Sequence, residues 1–325
     1  MTNAIPATPA AATGPAPGHP GAPAAAAEPR LEQVADGVYA YVQPDGGWCL
    51  NNAGVLVADG RSLLIDTAAT ERRILLLREA VASVADGEPD VIVNTHHHSD
   101  HTFGNSFFGP RTTIIAHEQT RSESAAAGLG ITALWPDVAW GAVSVRLPTV
   151  TFAESLSLHV GGLRAELFHP GPAHSTNDTV VWLPEERVLF TGDIAMSHVT
   201  PYVLMGSVAG SLAALGRLIE LGPRVVVPGH GPVGGPEILE KTRSYLTWVA
   251  ELDRVAAATG LTPLQAARAA DLGPFADLID SERLVSNLHR ARLEGAGARP
   301  GAPIDVLASF REMVEYHGGP PACHA

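Results

Sequence analysis

The sequence of 325 residues predicts an α/β fold, an αββα sandwich of two sheets packed face to face with helices outside, continued by a C-terminal helical extension. Three observations predict it. Short β signals come in two blocks, and each block contains helix-like segments. Several apolar strands stop abruptly at polar clusters of histidine and aspartate. From Pro236 onward the apolar spacing is helical throughout.

Taken in order, residues 1–30 are rich in Ala, Pro and Gly, with Glu28 and Arg30 their one acid and one base. Such a stretch lacks the large side chains that repay ordering entropy, so a disordered tail is expected. Pro6, Pro9, Pro15, Pro17, Pro20 and Pro23 interrupt any secretory apolar segment, which leaves the cytoplasm as the default location. Strands are predicted at 37–43, 52–59 and 62–67, separated by Pro44-Asp45-Gly46-Gly47 and Asp59-Gly60 turns. A helix over 71–85 precedes strands at 90–96 and 112–117, and residues 118–150 read as a helix and then an irregular stretch with Trp135 and Trp140. The second block places strands at 155–160, 163–169, 178–184 and 187–193, a helix at 211–222 and a strand at 224–230. Residues 31–235 are therefore expected to form the sandwich, and 236–325 a helical extension packed on it rather than an independent domain.

Composition excludes whole classes of function. Hydrophobic residues make up 46% of the chain, yet no apolar run approaches the ~18–20 residues of a membrane span. The net charge of −13 argues against a nucleic-acid surface, which needs basic patches. The chain has one lysine, Lys241, read as a solvated helix charge. Two cysteines, Cys49 and Cys323, cannot build a disulfide framework, so nothing requires an oxidising compartment. The informative number is 14 histidines, several crowded into one stretch.

That stretch is "NTHHHSDHTFGN" (94–105), which sets His96, His98, Asp100 and His101 at the end of a strongly apolar strand. Imidazole and carboxylate are ligands that Zn²⁺ accepts, and a strand end can aim several of them at one point. His174 in "HPGPAHSTND", Asp193 ending "VLFTGD" and His230 ending "VVVPGH" repeat the arrangement, each flanked by Gly or Pro that permit tight turns. A structural zinc site would favour a closed Cys/His cage of four ligands; this set has more ligands and no cysteine.

The pattern HxHxDH followed by a His, an Asp and a His resembles the metallo-β-lactamase superfamily over residues 31–235. The resemblance implies that His96, His98 and His174 hold a first metal, that Asp100, His101 and His230 hold a second, and that Asp193 bridges them. It also implies two Zn²⁺, with iron and manganese the other metals such ligands accept, and Asp100 orienting the water nucleophile. Many β-lactamases of this fold carry a cysteine where Asp193 stands, which points away from antibiotic resistance. Around the ligands, His97 should face the opposite way in an extended segment. His117 reads as a packed or solvent-facing residue, and His169 and His198 flank the site. Thr95 and Ser175 are candidates to orient ligands by hydrogen bonds, and Asp66 either supports a ligand histidine or caps a turn.

The loops predicted beside the site are apolar, "ALWPDVAW" (133–140) and "MSHVTPYVLMGSV" (196–208). Trp135, Trp140, Tyr202 and Met205 either line a flat apolar pocket or serve as core. The segments "YVQPDGGWCLNNAG" (41–54) and "ERLVSNLHRA" (282–291), with the histidine motif, resemble the cyclases and thioesterases of bacterial type II aromatic polyketide pathways. That resemblance implies closure of a later ring of a carrier-bound aromatic intermediate, hydrolysis of its acyl-carrier thioester, or both, with an acyl carrier protein or small acyl molecule as partner. His289 on the extension is either a substrate contact or proton donor, or a helix-surface residue. Two other readings stand beside this one: a general or glyoxalase-II-like thioester hydrolase, and a non-catalytic or redox di-metal protein of the same fold. A homo-oligomer is also among the expected partners; nucleic acid and membrane are not.

Overall fold

The computed structural model describes residues 28–325, so nearly all of the predicted tail lies outside the described residues. Chain order begins with a seven-stranded sheet, β1 (Arg30–Ala35), β2 (Val38–Val42), β3 (Ala53–Ala58), β4 (Arg61–Ile65), β5 (Val91–Val93), β6 (Thr113–His117) and β7 (Val150–Phe152), its strands lying in sequence order. The first four form an antiparallel meander; β4 to β7 are parallel. Parallel neighbours need crossovers, and α1 (Glu71–Ala82), the single turn α2 (Ser99–Thr102) and α3 (Glu118–Ala127) lie in these connections. A second sheet of five strands runs β12-β11-β10-β9-β8, from β8 (Ser155–Val160), β9 (Leu163–Phe168), β10 (Val180–Leu183), β11 (Val188–Phe190) and β12 (Val225–Val227). Here β8 to β11 are antiparallel, and α4 (Val208–Glu220) returns the chain so that β12 lies parallel to β11.

Side-chain alternation explains the layers. Val38, Ala40 and Val42 of β2, and Leu63 and Ile65 of β4, meet Val181 and Leu183 of β10 between the sheets. Their neighbours Tyr41 and Leu64 point outward, onto Ile74, Leu77 and Val81 of α1. On the other side, Val180, Trp182 and Val226 pack under Leu215 and Leu218 of α4. The same outer core continues into α5 (Glu237–Ala258), α6 (Pro263–Ala269), α7 (Arg283–Gly295) and α8 (Val306–His317) through Leu246, Leu288 and Met313. The helices start where side chains can satisfy the free N–H groups: Thr70 caps α1, Ser207 caps α4, and Thr262 with Gln265 closes a reciprocal capping box on α6.

Two strands are absent from the sequence reading. β1 lies at a sheet edge with no buried residue, so it lacks a clean period-two pattern, and its start at Arg30 ends the tail earlier than expected. β7 is three residues long, at the other edge. The strand predicted over 90–96 stops at Val93, and Asn94 to His98 form the loop that carries the first histidines. Among the described residues no helix is long and apolar enough to cross a membrane.

Candidate metal centre

The histidines and aspartates singled out in the sequence converge at one edge of the sandwich. His96 and His98 lie in the loop after β5, Asp100 and His101 in α2, and His174 in the loop between β9 and β10. Asp193 sits in the short turn after β11, and His230 follows β12. Parallel strands β11 and β12 end together, which sets Asp193 beside His230. His96 and His101 are fully buried and Asp193 is 6% exposed. Potential ligand atoms of His96, His98, His174 and Asp193 all lie within 4.8 Å of one another, as do those of Asp100, His101 and His230. Asp193 joins the two groups: one carboxylate oxygen is 3.2 Å from His101 Nε2, the other 3.5 Å from His174 Nε2 and 3.4 Å from His230 Nε2. Asp100 completes the second group, 3.3 Å from His230 Nε2. The approach is so close that a Cβ on Gly229 would sit 1.9 Å from the Asp193 carboxylate, which only glycine avoids.

The far nitrogens of the rings are held. His101 Nδ1 is 2.8 Å from Asp66, whose carboxylate also accepts from the Thr95 backbone N–H (2.7 Å) and hydroxyl (2.6 Å). His230 Nδ1 donates to Gly46 O at 2.9 Å and His174 Nδ1 to Tyr202 O. Thr95 Oγ1 lies 3.1 Å from His96 Nδ1. Holding Nδ1–H in this way fixes the tautomer and turns the lone pair of Nε2 inward. His98 differs, presenting Nδ1 at 2.9 Å from His174 Nε2. Facing the centre, His96 Nε2, His101 Nε2 and Asp193 Oδ1 are buried with no hydrogen-bond partner. Buried polar atoms left unpaired cost free energy, and imidazole and carboxylate lone pairs aimed at a common point suit divalent cations, so these residues fit a pair of metal ions.

Electrostatics agree. Burial, aided by neighbouring imidazoles, holds His96 and His98 well below the usual histidine range. His101 is pushed well above it: burial opposes, but Asp193, Asp66 and Asp100 prevail. Burial likewise opposes protonation of His230, yet Asp193 and Asp100 lift it to about 9. Asp193 is held well below the carboxylate range despite burial, chiefly by His230, His101 and His174. The carboxylates thus demand positive charge at the centre, and protons supply it where metal cations would.

Other sequence expectations are placed as follows. Asp66 and Thr95 support His101 and His96 directly. Ser175 does not: its hydroxyl donates to Asp178 at 2.7 Å. His97 turns away from the centre to Asn177 and Glu123. His117 is buried and stacked on His169 with ring centroids 4.2 Å apart. His198 has a left-handed backbone, φ 58°, and accepts from Ile279 N through its carbonyl. Trp135, Tyr202 and Met205 line a pocket that opens over the centre. Two expected contacts are corrected. Trp140 lies behind the wall, its indole N–H on Trp135 O at 3.1 Å. His289 is not in the pocket; α7 turns it outward to Glu312, 2.8 Å away, because Leu288 and Arg290 on either side are the buried ones. Sequence reasoning missed Trp48, Phe310 and Arg283. The Arg283 guanidinium lies 4.1 Å over the Trp48 ring and 2.8 Å from Asp280. The one signal for Trp48 was a tryptophan just past the Gly46-Gly47 turn.

Comparison with known proteins agrees with this geometry. The family model described as "Metallo-beta-lactamase superfamily" matches residues 46–230, more than half of the chain. A metallo-beta-lactamase type 2 from Bacteroides fragilis is 25% identical over 66% of this chain and 84% of its own. The 2,4-dinitroanisole O-demethylase subunit alpha of Nocardioides sp. is 28% identical over 67% of this chain and 61% of its own. An atrochrysone carboxyl ACP thioesterase from Aspergillus fumigatus is 28% identical over 63% of this chain and 57% of its own. In fold, the DIM-1 metallo-beta-lactamase superposes with a TM-score of 0.55 at 21% identity, covering 69% of this chain and 99% of that one. The family match, the shared fold and the converging His/Asp cluster lead to one conclusion: the chain belongs to the metallo-β-lactamase superfamily.

Proposed function

We propose that the protein is a di-zinc enzyme that acts on a carrier-bound aromatic polyketide intermediate, hydrolysing its thioester, closing a later ring, or both. The observation that carries this reading is the wall of the pocket above the metal centre. Trp48, Trp135, Tyr202 and Phe310 surround it, with Trp48 edge-on to Tyr202 at 5.3 Å and tilted against Trp135 at 5.5 Å. A lining rich in flat aromatic faces suits a flat aromatic guest. The relative named as an ACP thioesterase supports the thioester half of the reading.

His96, His98 and His174 would hold one ion, Asp100, His101 and His230 the other, and Asp193 would bridge them. Bound there, the ions would acidify water and polarise a carbonyl, the chemistry that both thioester hydrolysis and aldol closure need. The chain supplies the rest. Asp100 faces the pocket and orients the attacking water. Asp66 and Thr95 keep His101 and His96 in register. The aromatic wall holds the acyl group and excludes bulk water, and the Arg283 guanidinium places a fixed positive charge beside it.

The test compares the zinc-loaded protein on a polycyclic β-keto acyl phosphopantetheine thioester, a short-chain acyl thioester and a β-lactam. Thiol release and cyclised product are read separately. A hydrophobic-pocket contact discriminates by roughly 10–200-fold, so kcat/KM for the aromatic thioester should exceed that for the short one by at least ~10-fold. Equal rates would replace this reading with a general thioester hydrolase. Turnover of the β-lactam alone would overturn it.

A further inference from the structure

The only two cysteines of the chain meet beside the substrate pocket. Cys49 is 4% exposed, has a left-handed backbone (φ 64°) and shares the pocket wall with Trp48 and Asp100. Cys323, half-buried, packs against the cluster that Cys49 forms with Ala69, Phe103, Trp135 and Trp140, near enough that Cys323, together with burial, pushes the Cys49 thiol well above its ordinary range. The segment carrying Cys323 leaves α8 at Gly318 and runs back as a strap. Pro321 O accepts the Trp135 indole N–H at 2.7 Å, and His324 O accepts from the Arg73 guanidinium at 2.7 Å. Nothing in the metal chemistry uses either thiol.

We infer that Cys49 and Cys323 are a redox-modifiable pair that closes into a reversible intramolecular disulfide, fastening the 318–325 strap to the floor of the aromatic wall. The oxidant is a hydroperoxide. The Cys323 thiolate, favoured by the neighbouring Cys49 thiol, attacks the peroxide oxygen, giving a sulfenic acid and releasing water or an alcohol. The Cys49 thiol then attacks that sulfur; the S–S bond forms and water leaves, carrying the thiol proton. A small-molecule dithiol reverses the step by exchange. The partner for Cys323 is already in place, so disulfide formation outruns further oxidation of either sulfur.

The experiment treats the full chain, reduced and then exposed to hydrogen peroxide, and counts thiols in denaturant with intact and peptide mass spectrometry. The expected result is a fall from two free thiols to none, a monomer mass lower by two hydrogens, and a 49–323 linked peptide that dithiothreitol removes. Hydrogen exchange across 319–325 should slow only in the oxidised form. Cys323→Ser, changed in the half-buried strap rather than the core, should keep the fold and lose both effects. Oxygen adducts on separate cysteines, a linkage between two chains, or two thiols surviving peroxide would each overturn the inference.

Discussion

Replacing Asp66 by Asn tests how the metal centre is held from behind. Asp66 is 2% exposed and has φ 59°, a backbone that Asn tolerates, so the change alters charge and hydrogen bonding without moving the chain. Its carboxylate accepts three donors: His101 Nδ1–H, Thr95 N–H and Thr95 Oγ1–H. An amide has one acceptor oxygen. If that oxygen keeps the Thr95 N–H, the new NH₂ faces His101 Nδ1, and the imidazole must move its proton to Nε2, the nitrogen that points at the centre. If the oxygen faces His101, the NH₂ collides with the Thr95 N–H, and a buried donor goes unpaired. The first outcome costs metal affinity about 10–100-fold, as loss of an orienting partner does. The second costs stability about 1–3 kcal/mol. Zinc affinity by competition with a chromophoric chelator, and melting of the ion-free protein, measure the two together. Unchanged affinity with unchanged melting would refute the claim that Asp66 sets the tautomer of His101.

Further outcomes follow from the same geometry. Gly229→Ala puts a methyl group 1.9 Å from the Asp193 carboxylate, so zinc content should fall and overpacking should cost about 1–3 kcal/mol; metal analysis and denaturant melts check this. In the ion-free protein His230 titrates at about 9, above its ordinary 6.5, so at pH 7–8 it carries a proton that a metal must expel. Zinc affinity should therefore rise with pH through about 9, with proton release visible by calorimetry in buffers of different ionisation enthalpy. Trp48→Ala removes ring contacts to Trp135 and Tyr202 and the face under Arg283, about 0.5–1.5 kcal/mol for each aromatic pair. KM for an aromatic thioester should rise more than kcat falls, while zinc content stays at the wild-type level.

The His/Asp cluster was legible because the candidate ligands follow strongly apolar strands, and His174, Asp193 and His230 lie close to Gly or Pro. The pattern carries both the residue type and the place where the apolar strand ends. Asp66 was half legible: it directly follows β4, but its contact with His101 depends on how far the 94–101 loop folds back. The pocket was harder to read. Trp48, Arg283 and Phe310 come from three distant segments, and nothing local to any of them marks a shared cavity. Trp140 and His289 stayed open between pocket and packing or surface for a related reason: an aromatic in a loop or a histidine on a helix has no period that says which way it faces. The edge strands β1 and β7 escaped because they are half-exposed or three residues long, too little pattern to rise above a loop.

The most direct test of the central claim is the zinc stoichiometry of the purified, reconstituted and desalted protein, measured by elemental analysis beside Asp193→Ala. If the two ligand groups meet through Asp193, the unaltered chain retains two ions and the variant loses at least one. A chain that returns without zinc, or a variant that binds as much as its parent, would contradict it.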